Sequence, residues 1–259
     1  MTKKLNIAVV QSELVWEDPQ ANFLHFNQLI QQVADVDLIL LPEMFNTAFS
    51  MESSRLAESM DGASVVWMKS VAKERNAAIV GSVIIEDAGK FYNRLLWVLP
   101  DGTVQYYNKR HLFRMAHEHE FFDQGSERLI VNYKGWKICP LVCYDLRFPV
   151  WSRNDVSFDC LIYVASWPAA RIDAWSTLLK ARAIENQCYS IGVNRVGKDE
   201  ANRDYCGGSA VHDPKGSLLS SFEMDKEEVQ MITLDLDQLN DFRQKFPVDL
   251  DRDQFELKV

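Results

Sequence analysis

The sequence predicts an α/β protein in which helices cover layered sheets, and three observations carry that expectation. Short apolar runs alternate with segments of helical period through the first half of the chain. Hairpin signals then become frequent, which favours a layered α/β sandwich over a barrel or a purely doubly wound sheet. Neither Gly-x-Gly-x-x-Gly nor Gly-Lys-Ser/Thr occurs, so no nucleotide cofactor is indicated. The chain has 259 residues, 47% hydrophobic and 25% charged, enough for one large core. It shows no low-complexity linker, repeat or composition shift, so residues 1–259 read as a single domain with 237–259 as a C-terminal tail.

Leu5 to Gln11 reads as a buried strand. Pro19 opens a helix whose Phe23, Phe26, Leu29, Ile30 and Val33 recur on one face. Asp37 to Leu41 is a short apolar strand ending in Pro42-Glu43, and Ser64 to Asn76 is helical. Strands follow at Ala78 to Ile85 and Phe91 to Leu99, and Pro100-Asp101-Gly102 turns the chain into a third, Thr103 to Tyr107. Periodicity is lost from Asn108 to Glu127, where charges, histidines and aromatics crowd together; a loop this long inside a compact domain is usually functional. Strands resume at Leu129 to Tyr133, Trp136 to Val142 and Cys160 to Val164. A helix spans Arg171 to Gln187 and a strand Cys188 to Asn194. Further strands are expected near Gly208 to His212, Ser217 to Phe222 and Val229 to Leu234. Phe242, Phe246 and Phe255 punctuate the charged tail, which is expected to reach a neighbouring subunit.

A net charge of −9 with no basic run argues against nucleic acid or anionic membrane as a partner. Five cysteines without a Cys-x-x-Cys pair fit neither a disulfide framework nor a zinc knuckle. They suit a reducing cytoplasm. Met1-Thr2-Lys3-Lys4 begins like a signal peptide, yet the apolar run behind it is too short, and nothing approaches a membrane span.

The chemistry gathers where strands end. Cys143 closes the apolar run Trp136 to Val142 and is followed at once by polar residues and Pro149. A thiol there is held rigidly and can face a cleft, with the amide N–H of Tyr144 free to bind an oxyanion. A small buried hydrophobe would serve the same position, as most free cysteines do. Glu43 and Lys109 likewise follow short apolar strands, and strand ends on one sheet edge converge. A carboxylate accepts the thiol proton; an ammonium favours the thiolate and the negative intermediate; the thiolate attacks. Taken singly, Glu43 and Lys109 read as an ordinary salt-bridged pair.

Leu41-Pro42-Glu43, Lys109-Arg110-His111-Leu112-Phe113 and Val142-Cys143-Tyr144-Asp145-Leu146-Arg147-Phe148-Pro149 together resemble the nitrilase superfamily of carbon–nitrogen hydrolases. The motifs are in the family's order, 66 and 34 residues apart, within a resemblance running from residue 5 to about 235. It implies a four-layer α-β-β-α sandwich, a face-to-face homodimer and no metal. It makes Glu43 the general base, Lys109 the stabiliser of the intermediate and Cys143 the nucleophile. A second active-site glutamate is implied seven residues before a glycine, which Glu118 and Gly125 match, with Glu120 close by. His111, His117 and His119 beside those glutamates tempt a metal reading, but zinc spacing is not met. The charges of the helix beginning at Arg171 are expected to brace the dimer and the active-site loops rather than touch substrate, and Asp145 and Arg147 to be structural and paired.

Leu41 to Phe49 and Phe113-Arg114-Met115-Ala116 further resemble the bacterial omega-amidase branch, whose members release ammonia from the terminal amide of 2-oxoglutaramate and succinamate. Such substrates, which need only water as co-reactant, carry a carboxylate. Arg114 or Arg171 is therefore expected to bind it, with Trp167, Phe113 and Phe45 walling the carbon chain. A nitrilase or N-carbamoyl amidase on the same fold is the alternative enzyme. A catalytically silent binding protein is the alternative of another class.

Overall fold

The computed structural model describes residues 3–258; Met1, Thr2 and Val259 lie outside it. In chain order the first half holds β1 (Lys4–Gln11), α1 (Pro19–Gln31), β2 (Leu38–Leu40), α2 (Ser53–Leu56), α3 (Ala63–Arg75), β3 (Ala78–Asp87), β4 (Lys90–Val98) and β5 (Val104–Asn108). Next come α4 (Glu118–Phe121), β6 (Val131–Tyr133), β7 (Trp136–Val142), β8 (Cys160–Ala165), α5 (Ile172–Asn186) and β9 (Tyr189–Asn194). The last are β10 (Val196–Lys198), β11 (Asp204–Cys206), β12 (Ala210–His212), β13 (Glu228–Asp235) and α6 (Leu236–Lys245). One sheet has the order β13-β1-β2-β3-β4-β5 and the other β12-β9-β8-β7-β6.

Side-chain alternation builds the layers. Along β1, Ala8 and Val10 join Phe23 and Phe26 of α1 and Met68 of α3 in one core. Ile7 and Val9 point the other way and join Trp97 of β4, Ile138 of β7 and Ile162 of β8 between the sheets. Trp175 and Leu179 of α5 cover the outer face of the second sheet. The central strands β7, β8 and β9 run parallel, are covered on both faces and are accordingly apolar at nearly every position. The result is the expected α-β-β-α sandwich.

Local chemistry sets the helix ends. Asp18 caps α1 by accepting from Ala21 N at 3.0 Å, with Pro19 in the first turn. Asn76 and Gln187 end α3 and α5 in the left-handed conformation, with φ of 48° and 45°.

The second half departs from expectation in three places. Ser217 to Phe222 does not form a strand: only Leu218 bridges to His212. Ser220 Oγ accepts from Val211 N at 3.0 Å and so replaces a ladder carbonyl. The polar segment 196–206, assigned no structure from sequence, forms the β10–β11 hairpin. The tail begins as an ordered helix. Asp235 caps α6, Leu239 enters the core, and Arg243 pairs with Asp159 at 2.8 Å. Among the described residues no helix is long and apolar enough to cross a membrane.

Candidate active site

The reactive groups meet at one end of the sandwich, and they come from both sheets. Glu43 follows β2 and Lys109 follows β5 in the first sheet, whereas Cys143 follows β7 in the second. The sequence placed all three along one sheet edge; stacking of the two sheets brings them together instead.

Cys143 opens a short 3-10 turn, Cys143–Arg147, and its φ is 44°. Such a backbone is unfavourable for a side chain with a Cβ and persists only when its surroundings enforce it. Asp145, fully buried, supplies that enforcement. Its carboxylate accepts from Val142 N at 3.0 Å, Tyr107 OH at 2.7 Å and His111 N at 3.0 Å, and His111 Nδ1 lies 2.7 Å away. Arg182 of α5 donates to Leu146 O at 2.6 Å and fastens the same turn from behind. The first N–H groups of such a turn have no partner within it, and Tyr144 N–H belongs to them.

Lys109 Nζ is buried between two carboxylates. It lies 2.8 Å from Glu43 Oε1 and 2.9 Å from both oxygens of Glu118. Glu43 Oε2 accepts from Ser166 N at 2.8 Å, and Glu118 Oε2 from Phe113 N at 2.5 Å. Asn93 Nδ2 donates to Glu43 at 2.8 Å and to Glu118 at 3.3 Å. Every hydrogen bond to these carboxylates comes from a donor, so both act as acceptors. Glu120 instead sits at the surface 2.9 Å from His117, so the structure places Glu118 in the cluster.

The electrostatics follow from burial. Burial by itself would pull Lys109 down, but Glu118 and Glu43 outweigh it and hold the ammonium well above its ordinary range. Burial pushes the Glu118 carboxyl up, opposed by Lys109 and reinforced by Glu43. Burial and the neighbouring Glu43 charge push the Cys143 thiol well above its usual value, against the pull of Lys109. Burial and Glu43 thus oppose the thiolate, which the Lys109 ammonium favours.

A cavity of about 140 Å³ opens over Cys143. Phe49, Phe113, Tyr144, Trp167 and Tyr205 wall it, and Arg147, Arg171 and Arg203 border it; none of its lining residues is acidic. Arg147 does not pair with Asp145 as expected. Its guanidinium lies 5.0 Å from the Trp167 ring centre, while that of Arg171 lies 5.3 Å from Phe113. Arg203 is 3.6 Å from Asp199, but no carboxylate among the described residues lies within ion-pair distance of Arg147 or Arg171.

Two expected wall or anchor residues fall elsewhere. Phe45 is fully buried and packs among Phe23, Phe26 and Trp67, because Met44 (φ 45°) turns the chain after Glu43 and sends the next ring into the helix-facing core. Arg114 is exposed on the turn Arg114–Ala116 and does not line the cavity. The loop histidines diverge: His111 faces Asp145 and His117 faces Glu120. Among the described residues no three His, Cys, Asp or Glu side chains are grouped to hold a metal. Sequence reading missed Asn93, Ser166 and the β10–β11 residues Arg203 and Tyr205. Only an Asn inside the apolar strand 91–99 offered a signal.

The carbon-nitrogen hydrolase family model matches residues 6–244. The chain belongs to the carbon–nitrogen hydrolase family. It is 45% identical to the omega-amidase YafV of Escherichia coli over 98% of both chains. It is 32% identical to the 2-oxoglutaramate amidase of Bacillus subtilis, covering 95% of this chain and 96% of that one. Among solved structures, a CN-hydrolase superfamily protein from Xanthomonas campestris, with an arsenic adduct in its active site, matches with a TM-score of 0.96. Its identity is 45%, over 98% of this chain and 99% of the other.

Proposed function

We propose that this protein is an omega-amidase. It releases ammonia from the terminal amide of short dicarboxylic acid monoamides such as 2-oxoglutaramate and succinamate. The observation that carries the reading is the small aromatic cavity over Cys143, bordered by arginines without a single acid. The names of the relatives support it.

In this mechanism the thiol of Cys143 attacks the amide carbonyl while its proton passes to Glu43, so no thiolate need accumulate beforehand. The oxyanion that forms is met by the Lys109 ammonium and the Tyr144 N–H. Collapse breaks the carbon–nitrogen bond; Glu43 returns the proton to the departing nitrogen, and ammonia leaves a thioester on Cys143. Glu43 then takes a proton from water as the oxygen attacks the thioester, and the carboxylic acid departs with the thiol restored. Glu118 holds Lys109 in place throughout. No cofactor enters this scheme.

Arg171 and Arg147 are the anchors for the substrate carboxylate, and Trp167 and Phe113 flank its chain. A charge-assisted contact contributes about 1.5–3 kcal/mol, or roughly ten- to hundredfold in rate. Wild type should therefore prefer succinamate to butyramide by at least about tenfold in kcat/KM. Arg171→Met and Arg147→Met should reduce that preference while sparing butyramide, and Arg114→Ala should change neither. Equal rates on the two amides would remove the omega-amidase reading and favour a nitrilase or N-carbamoyl amidase; ammonia release over nitriles and carbamoyl amino acids would then decide.

The protein works as a single domain and as a homodimer, with exposed apolar residues on and beside α5 at the contact. Ile184 on α5 is 48% exposed and neighbours the turn at Gly216, beyond which Leu218 is 59% exposed. Sedimentation velocity should find a species of about twice 29.8 kDa, shifted toward monomer by Ile184→Glu. A monomeric wild type would dispose of the dimer. Five free, buried cysteines support a cytoplasmic location, which cell fractionation would test.

A further inference from the structure

We infer that Asn93 is a positioning residue of the reaction: its side-chain amide holds Glu43 and Glu118 as paired carboxylates around Lys109 and aims Glu43 at the Cys143 thiol. The inference rests on the reading that Glu43 takes the thiol proton.

Asn93 lies on β4, opposite Ile84 of β3, and is fully buried. Its single Nδ2 reaches Glu43 Oε1 at 2.8 Å and Glu118 Oε1 at 3.3 Å, so one NH2 group ties both acids together. Its backbone carbonyl accepts from Lys109 N at 3.0 Å, so the same residue also sets where the lysine leaves its strand. Asn93 thus touches three members of the cluster and does not line the cavity over Cys143.

The orientation of the amide is dictated by charge. Turning it over would set Oδ1, an acceptor, against two carboxylates. In the orientation that donates, Oδ1 is buried without any hydrogen-bond partner. A buried carbonyl oxygen left unpaired is unfavourable and calls for a reason. Here the reason is that the donor side is required. A cluster of two carboxylates and one ammonium has one negative charge in excess, and Lys109 can neutralise only one of them. The Nδ2 hydrogens supply part of the missing positive potential where the second negative charge resides, between the two Oε1 atoms.

This fixes the direction of the effect. The groups facing Glu43 are Lys109, Glu118, the Cys143 thiol and the N–H of Ser166; those facing Glu118 are Lys109, Glu43 and the N–H of Phe113. Loss of the Asn93 donor leaves both carboxylates less stabilised in the charged form, so a proton is retained to higher pH. A protonated Glu43 cannot accept from the thiol. The acidic limb of kcat/KM must then move upward.

The test is Asn93→Leu, similar in branching and without a donor though larger, with the smaller Asn93→Ala in parallel. For folded, fully thiol-titrating enzyme the expected result is a fall in kcat of about ten- to hundredfold with KM within about twofold. The acidic limb should rise by about one pH unit or more. Alkylation of Cys143 by iodoacetamide, followed against pH, should shift as well, since it senses the same carboxylate without turnover. Three results would each overturn the inference: an unmoved acidic limb, activity lost only in proportion to unfolded protein, or failure of both variants to fold. Any of these makes Asn93 a packing residue. Should wild type itself release no ammonia from any amide while Cys143 alkylation still shifts in the variants, the proposed activity falls and the positioning of Glu43 by Asn93 stands.

Discussion

Cys143→Ala is expected to lower kcat for amide hydrolysis by about 10⁴-fold or more, since loss of a nucleophile leaves only binding and oxyanion stabilisation. Folding should be almost untouched. The thiol lies at the floor of a cavity, 8% exposed, and its removal deletes one heavy atom from a site that already adjoins open space. The positive φ of Cys143 is no worse for alanine than for cysteine. Stability should therefore stay within about 1 kcal/mol. The companion measurement uses wild type: hydroxylamine added during turnover should divert the acyl group from Cys143 to a hydroxamate in place of the free acid. Turnover by the alanine variant within about tenfold of wild type would end the nucleophile assignment. Turnover without any hydroxamate would instead argue against a thioester open to outside nucleophiles.

Lys109→Met should damage stability and activity together. The methionine fills much of the same space, but Glu43 and Glu118 are left facing each other without a cation in a fully buried site. Removing one partner of a buried ion pair costs about 3–5 kcal/mol. With no ammonium to meet the tetrahedral oxyanion, kcat should fall by about 10³-fold or more. The pH dependence carries a definite sign. In the variant the two facing carboxyls hold one proton between them to above the unfolded value of about 4.3, so the folded state binds a proton that the unfolded state has released. Stability is therefore retained at pH values near 4–5 and lost as pH rises through the folded-state values. Urea unfolding at pH 5 and pH 8 should show Lys109→Met much closer to wild type at the lower pH. An equal deficit at both would mean that the lysine acts by packing alone.

The same cluster marks the boundary between what the chain announces locally and what assembly creates. Glu43, Lys109 and Cys143 were legible because each ends a short apolar run, and because the residues around them form motifs in a fixed order. Glu118 needed the resemblance, and its choice over Glu120 needed the structure. One carboxylate enters the core at the start of a four-residue helix; its neighbour two positions on faces water. Asn93 offered only one signal, a polar residue inside an apolar strand. Its role could not be read until the opposing acids were known.

By itself, the sequence determined the strands and helices whose periodicity is strong. It also determined the layered α/β class and the choice of three side chains proposed as reactive, since these depend on residue order and local pattern. Only the tertiary structure decided which groups share one space. It moved Phe45 to the far core and Arg114 to the surface, and it turned Arg147 from a presumed partner of Asp145 to the cavity rim. It brought Arg203 and Tyr205 there on a hairpin of polar sequence. Local periodicity reports which face of an element is buried. The partner of a buried charge lies across a sheet or in another layer, at a distance along the chain that no local pattern encodes.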